Sequence, residues 1–408
     1  MSDSVSVAPR SRRGRSFEET RSAVLDLIRS SGEISRVELA RRSALTEATI
    51  SKVVKGLLAD GVIVESGHAE STGGKRPTLL RLGNTGRWAV GAILDHFRIV
   101  VVLCAIDGSR VAQLELAGAG TDAPEIVLDR IADGVERLLA ENSVPAGAVI
   151  GLGIALSGRR PDNIDATSKP AEDWWEQVAV DAELQRLTGL PVLLENDAKC
   201  AALSEFWSGK VPDDRDFALV YMADGVGAGI VIGGDIYPGR SGRSGEIGHT
   251  FVDPERTPCW CGSLGCLNMV GTPQGIARIV LGSPELREAL GIAGTDRQQA
   301  VYAKATAAAS AGEPLATALI EKAADFLGTA VVSLVNTLDL DRVILAGPGF
   351  AGAADAYLAA VRRHVDVSYA RSIHPVEVEL RSTSQEIAAL GAASLVLHRR
   401  LTPHLAAQ

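Results

Sequence analysis

Three cysteines and a histidine with metal-ligand chemistry lie close together: His249, then Cys259, Cys261 and Cys266 in the run Cys-Trp-Cys-Gly-Ser-Leu-Gly-Cys. Three thiolates and an imidazole form a complete tetrahedral set for zinc. A disulfide is the competing use, but Cys259 and Cys261 are two residues apart, and so close a pair seldom reaches unstrained disulfide geometry. Four protein ligands leave no open coordination position, so the expectation is one structural zinc ion per chain, not a hydrolytic one. His249 closes the motif Gly245-Glu246-Ile247-Gly248-His249, which sets the metal site beside a polar pocket. Cys104 and Cys200 lie in apolar runs and read as core residues.

Positioning such a site takes a sizeable scaffold, and 408 residues exceed one ordinary core, so two or three domains are expected. With 46% hydrophobic and 22% charged residues the chain reads as a soluble globular protein. It has neither an uninterrupted apolar stretch of membrane-spanning length nor an apolar segment behind its basic N-terminus, so no membrane partner and a cytoplasmic location are expected. An odd count of five cysteines agrees with a reducing compartment. The net charge of −9 hides an asymmetry: residues 1–87 carry 15 Lys/Arg against 10 Asp/Glu, and the remainder 26 against 40. A basic end on an acidic body points to a nucleic-acid module.

Residues 1–15, with Arg10, Arg12, Arg13 and Arg15 among small polar residues, read as a disordered basic arm. Three helix starts follow. Ser16 with Glu19 and Ser35 with Glu38 match capping boxes, and Thr46 with Glu47 is a third N-terminus. The first helix carries Val24, Leu25, Leu27 and Ile28 and stops at Gly32. The second, about Arg36 to Arg42, turns Val37, Leu39 and Ala40 inward. The third, from Glu47 to about Asp60, carries Ile50, Val53, Val54, Leu57 and Leu58. The last two helices, joined by Ser43-Ala44-Leu45-Thr46, form a helix-turn-helix. The strand starting at Val62 and the strand Thr78–Leu82 make a wing tipped by Lys75 and Arg76. Residues 16–83 are thus expected to bind duplex operator DNA through Ser35, Thr46, Thr49, Ser51, Lys52 and Lys55, with Lys75 and Arg76 on the wing. Such a protein is nucleoid-associated when bound, and a dimer reading a palindrome is the geometric expectation.

Beyond residue 87 apolar strands alternate with helices. Val90–Ile93 and Ile99–Leu103 form a hairpin, a helix covers 124–141, and Val149–Leu156 is a buried strand ending near Ser157-Gly158. Pro191–Leu194 is a strand running into Glu195-Asn196-Asp197, and Phe217–Tyr221 and Gly229–Ile232 flank a turn over Asp224–Ala228. The class is α/β, with two lobes around a cleft.

These motifs carry a resemblance. Glu195-Asn196-Asp197-Ala198, Asp224-Gly225-Val226-Gly227-Ala228-Gly229, Gly245–His249 and the cysteine loop, in this order, resemble the ROK family of repressors and sugar kinases. The likeness spans about Val90 to Leu397. It implies an actin-like, ribonuclease H-like two-lobed body: lobe 1 is residues 88–200 completed by a helix over 384–400, and lobe 2 is residues 201–383 with the zinc loop. The winged helix in front resembles the regulator branch, of the NagC/XylR type. The resemblance implies a sugar or sugar-derivative ligand held by Gly158, Asn196, Asp197, Glu246, His249 and Asn268, with Asp197 a vestigial general base. It also implies a homodimer or homotetramer.

The run Gly91-Ala92-Ile93-Leu94-Asp95-His96-Phe97-Arg98 departs from the family kinases' first phosphate loop, Asp-x-Gly-Gly-Thr. Ile93 stands for the Asp, Asp95 and His96 for the glycines, and Phe97 for the hydroxyl donor. Asn268 stands where the family usually has a sugar-contacting Glu. The second phosphate turn and the adenosine-like segment Leu345–Gly349 persist. The expected function is a sugar-responsive repressor without kinase activity; an active ATP-dependent sugar kinase with an accessory DNA-binding segment is the alternative.

Overall fold

The structure is a computed structural model and describes residues 16–68, 77–83, 86–156, 178–209 and 216–402. The chain divides into two compact units, Met1–Gly83 with Arg399–Gln408 and Asn84–His398.

In the first unit α1 (Phe17–Ser31) starts at a complete capping box. The Ser16 hydroxyl accepts from the Glu19 amide at 3.1 Å and the Glu19 carboxylate accepts from the Ser16 amide. Gly32, at φ +67°, ends the helix. A two-residue strand, β1 (Ile34–Ser35), leads into α2 (Arg36–Ser43), α3 (Glu47–Ala59) and the wing strands β2 (Ile63–His68) and β3 (Thr78–Leu82). The sheet order is β1-β3-β2. Val24, Leu25, Ile28, Leu39, Ile50, Val54, Leu57 and Leu80 fill the core.

Two expectations for this unit need correction. Val37 is 64% exposed, because it lies two residues, about 200° of helix, from Leu39, which is the row α2 buries. The second capping box is half formed: Ser35 accepts from the Glu38 amide at 3.2 Å, but the Glu38 carboxylate is held by Arg41 Nε at 2.7 Å and cannot reach back.

The second unit contains two five-stranded sheets. The first is built from β4 (Trp88–Leu94), β5 (Arg98–Ala105), β6 (Arg110–Ala117), β7 (Val149–Leu156) and β8 (Val192–Asn196). The helix α4 (Pro124–Glu141) connects β6 to β7 and α5 (Val180–Thr188) precedes β8. The order β6-β5-β4-β7-β8 is an antiparallel meander extended by two parallel strands. Next come α6 (Asp197–Trp207), β9 (Phe217–Met222), β10 (Val226–Ile232) and β11 (Asp235–Ile236). Four helices follow, α7 (Pro273–Gly282), α8 (Pro284–Ala289), α9 (Gln298–Ser310) and α10 (Pro314–Leu338), and then β12 (Arg342–Ala346), α11 (Ala354–Asp366), β13 (Glu377–Ser382) and α12 (Glu386–Leu401). The second sheet, β11-β10-β9-β12-β13, repeats the strand order of the first. This repeat is the doubled architecture expected of an actin-like body.

The sheets meet through α6 and α12. A Cβ on Gly153 in β7 would lie 1.9 Å from the Ala392 carbonyl of α12. One on Gly391 would lie 1.6 Å from the Cys200 carbonyl of α6. Backbones this close leave no room for a side chain, and every residue of α6 is buried. Cys104 and Cys200 sit in the core as expected; burial pushes the Cys104 thiol up to about 12 and raises that of Cys200. No described helix is long and apolar enough to cross a membrane.

Candidate metal centre, ligand pocket and DNA face

The loop after β11 folds back on itself, joined by bridges between Phe251 and Cys266 and between Pro258 and Leu264. Asp253 holds its base, accepting from the Glu255 and Thr257 amides, each at 3.0 Å. The ligand atoms of His249, Cys259, Cys261 and Cys266 thereby come within 4.8 Å of one another, a group that could hold a metal ion. Cys261 and Cys266 sulfurs are 3.7 Å apart, and Cys259 Sγ is 3.7 Å from His249 Nδ1. Tetrahedral zinc with Zn–S bonds of about 2.3 Å places its sulfurs about 3.8 Å apart, so the spacing fits. Burial lowers the imidazole pKa against the pull of Glu246, which favours the neutral ring that a metal requires. Trp260 stacks edge-on against that ring at 4.9 Å.

Asn196 caps α6, its Oδ1 accepting from the Ala198 and Lys199 amides at 3.0 and 3.2 Å. Asp197, 8% exposed, is the first residue of the helix. Glycines let this helix approach β10: a Cβ on Gly227 would touch Ala198 Cβ at 3.4 Å and the Gly245 carbonyl at 3.9 Å. The α6 start and Gly245 thus meet beside Gly227 of β10. The expected turn over Asp224–Ala228 is therefore shorter than the sequence suggests. β10 already starts at Val226, because Gly227 and Gly229 serve helix approach and not chain reversal. Asn268 accepts from the Val226 amide at 3.1 Å and packs under Gly248, joining the same cluster. The segments that carry Asn196, Asp197, Glu246, His249 and Asn268 therefore meet at the start of β10, while Gly158 lies outside the described residues.

Sequence reasoning missed Lys199. It is 2% exposed, its ammonium donates to the Gly242 carbonyl and lies 3.6 Å from Glu195, and so it fastens the loop before Glu246 to α6. A lysine amid small apolar helix residues was the available signal. Tyr221 of β9 was also missed; its phenol is fully enclosed, and burial first, then the charges of Asp197 and Asp95, raise its pKa far above normal.

At the β4–β5 turn Asp95 is 4% exposed, and its Oδ1 accepts from the Phe97 amide at 2.9 Å and the Arg98 amide at 3.4 Å. This turn borders an open cleft of about 740 Å³. Asp224, Pro348, Gly349 and the α9 face around Tyr302 also line it.

In the first unit Thr46 caps α3, accepting from the Thr49 amide at 3.2 Å and sharing a 2.9 Å hydrogen bond with the Thr49 hydroxyl. Ser51, Lys52 and Lys55 are exposed on the same helix. Lys52 also reaches over the Phe17 ring, 5.0 Å from its centroid. Ser35 is half-buried and caps α2. Lys75 and Arg76 lie outside the described residues. Arg36 and Arg42 of α2, absent from the sequence-based set, are also exposed, Arg36 paired with Glu65 at 3.1 Å and Arg42 donating to the Ser31 hydroxyl at 2.8 Å.

The ROK family pattern matches residues 98–399, and a winged helix-turn-helix DNA-binding pattern matches residues 17–64. A glucokinase of Halalkalibacterium halodurans is 30% identical, covering 76% of this chain and 95% of its own. A xylose repressor of Caldicellulosiruptor bescii is 25% identical, covering 93% of this chain and 95% of its own. A solved ROK family transcriptional regulator, a homolog of the Escherichia coli MLC protein, superposes with a TM-score of 0.70 at 23% identity, covering 95% of this chain and 98% of its own.

Proposed function

We propose that this chain, which belongs to the ROK family, is a sugar-responsive DNA-binding transcriptional repressor whose kinase-like body senses its ligand without phosphorylating it. Coverage supports the regulator half of this reading: the xylose repressor aligns across the winged helix and body together, whereas the glucokinase aligns with about the body's share of the chain. The observation that carries the non-enzymatic half is the Asp95 carboxylate on the Phe97 and Arg98 amides. In the family's kinases the corresponding turn offers amides to phosphate. Here the chain's own anion takes them and repels a second one.

In this reading lobe 1 is residues 88–200 closed by 384–400, and lobe 2 is residues 201–383. Asn196, Asp197, Glu246, His249 and Asn268, with Gly158, present an amide, carboxylates and an imidazole to sugar hydroxyls. Three thiols and an imidazole at tetrahedral spacing fit zinc, which would supply a fixed scaffold and no reaction chemistry. With Nδ1 toward the sulfurs, His249 keeps its other ring nitrogen for the ligand. The third helix enters the major groove. Thr49 and Ser51 read base edges, while Lys52, Lys55, Lys75 and Arg76 hold phosphates, with Ser35 and Thr46 at the two helix starts. The protein acts as a homodimer or homotetramer on a palindromic operator.

Operator affinity of the full chain, measured by fluorescence anisotropy with and without xylose or glucose, tests the reading. A shift of tenfold or more with one sugar is expected, since a ligand moves the equilibrium only by its differential affinity for the two states. No shift across a broad sugar panel sinks the sensor. The body's likeness to a glucokinase favours a second reading, an ATP-dependent sugar kinase with an accessory DNA-binding segment; sugar-dependent ATP turnover would establish it.

A further inference from the structure

Of the five cysteines Cys261 alone is exposed; Cys104, Cys200, Cys259 and Cys266 are buried. Its sulfur lies 3.7 Å from that of Cys266, five residues along the chain. A thiol that solvent reaches is thus set against one that it does not. A disulfide needs its sulfurs about 2.05 Å apart, so closing this pair takes a movement of about 1.7 Å.

The intervening loop can supply that movement on one side only. Gly262 sits at φ +92° with open space where a Cβ would stand, whereas a Cβ on Gly265 would lie 2.6 Å from the Phe251 ring. Cys266 is fully enclosed, is bridged to Phe251, and donates to the His249 carbonyl at 3.6 Å. Cys261 is therefore the thiol that moves and Cys266 the one that stays. Cys259 is the competing partner, but it is two residues from Cys261, and so short a ring strains the disulfide.

We propose that Cys261 is a modification site at which a peroxide oxidises the cluster, linking Cys261 to Cys266. The Cys261 sulfur attacks one oxygen of hydrogen peroxide; the O–O bond breaks, water leaves and Cys261 becomes a sulfenic acid. The Cys266 sulfur then attacks the Cys261 sulfur, the S–O bond breaks and a second water leaves. Two thiols have lost two electrons and two protons, and the peroxide has become two waters. The disulfide removes two of the four groups that fit zinc, because a metal takes only deprotonated thiols. Oxidation thereby releases the metal and frees His249, loosening the Gly245–His249 segment. This consequence rests on the zinc and sugar-site readings given above; the disulfide itself does not.

Hydrogen peroxide titrated anaerobically into the reduced full-length protein tests the proposal. Zinc release is followed with 4-(2-pyridylazo)resorcinol, and thiols are mapped by alkylation, proteolysis and mass spectrometry. The expected product is a peptide pair linked through Cys261 and Cys266, with about one zinc released per disulfide and with Cys104 and Cys200 still reduced. Dithiothreitol with added zinc should reverse both changes. Cys259→Ser keeps the exposed thiol and its partner and should still form the linkage, whereas Cys261→Ser should slow peroxide consumption about tenfold or more. A Cys259–Cys261 linkage, first oxidation at Cys104 or Cys200, sulfinic acid at Cys261 without linkage, zinc retained by the linked protein, or undiminished reactivity of Cys261→Ser would each overturn the proposal. Protein that holds no zinc before peroxide is added would sink the zinc reading, while the linkage, read by mass, still decides the modification.

Discussion

The two sheets of the body have one strand order and two chemistries. In the first, the turn between its leading strands is Asp95-His96-Phe97, closed on itself by the Asp95 carboxylate. In the second, the equivalent turn is Ala223-Asp224-Gly225, open enough that a Cβ on Gly225 would meet only the Asn268 amide, at 3.3 Å. The first sheet carries helix α4 between its third and fourth strands, whereas the second carries there the thiol loop and the helices α7 to α10. Strand order places a cleft, and side chains at the turns decide what it accepts.

Four substitutions would break or sharpen that contrast. The largest effect is expected where the sheets join: Gly391→Val drives a side chain into the Cys200 carbonyl and should cost about 3 kcal/mol or more in urea unfolding. An unchanged unfolding midpoint would mean that α6 and α12 are not the joint. Next, Cys266→Ser should release bound zinc and cost about 2 kcal/mol or more. Limited proteolysis should then cut within 250–268 while the first sheet stays protected; stoichiometric metal retained in the variant contradicts the ligand set. Asn268→Ala leaves the Val226 amide without its acceptor and should cost about 1–3 kcal/mol, read as a lower melting temperature without metal loss. The smallest effect belongs to the first turn. Asp95→Asn keeps an acceptor for both amides and should change stability by less than about 0.5 kcal/mol, and under the proposed function, in which Ile93 stands where the family's kinases have a metal-handling Asp, it should not create sugar-dependent ATP turnover. Turnover in that variant would show that charge alone silences the site.

The unequal legibility of the two units has a physical cause. In the first, helices are announced by local signals, Ser16, Ser35 and Thr46 at their starts and apolar residues at helical spacing, and the observed α1 and α3 follow them. Even there β1 escaped notice, since two residues become a strand only by pairing with β3. In the body, α4 and β7 were readable to the residue from periodicity and flanking turns. The start of β10 was not, because a glycine that admits a neighbouring helix looks in sequence like a glycine that turns the chain. Among the described ligand candidates, Asn196 proves to cap α6 through the Ala198 and Lys199 amides, as N-cap spacing allows, whereas Asn268 accepts from Val226, 42 positions away, a partner that no spacing rule supplies.

By itself the sequence determined the His249, Cys259, Cys261 and Cys266 cluster that could hold a metal ion, the three-helix module and the side chains of the β4–β5 turn, because residue type and short spacing suffice for each. The tertiary structure decided that two sheets repeat one order, that Asp95 occupies amides of its own turn, and that Gln385 and Asp224 share a cleft. Those facts depend on contacts between residues tens to hundreds of positions apart, or on the direction of one side chain, and neither is encoded in local pattern.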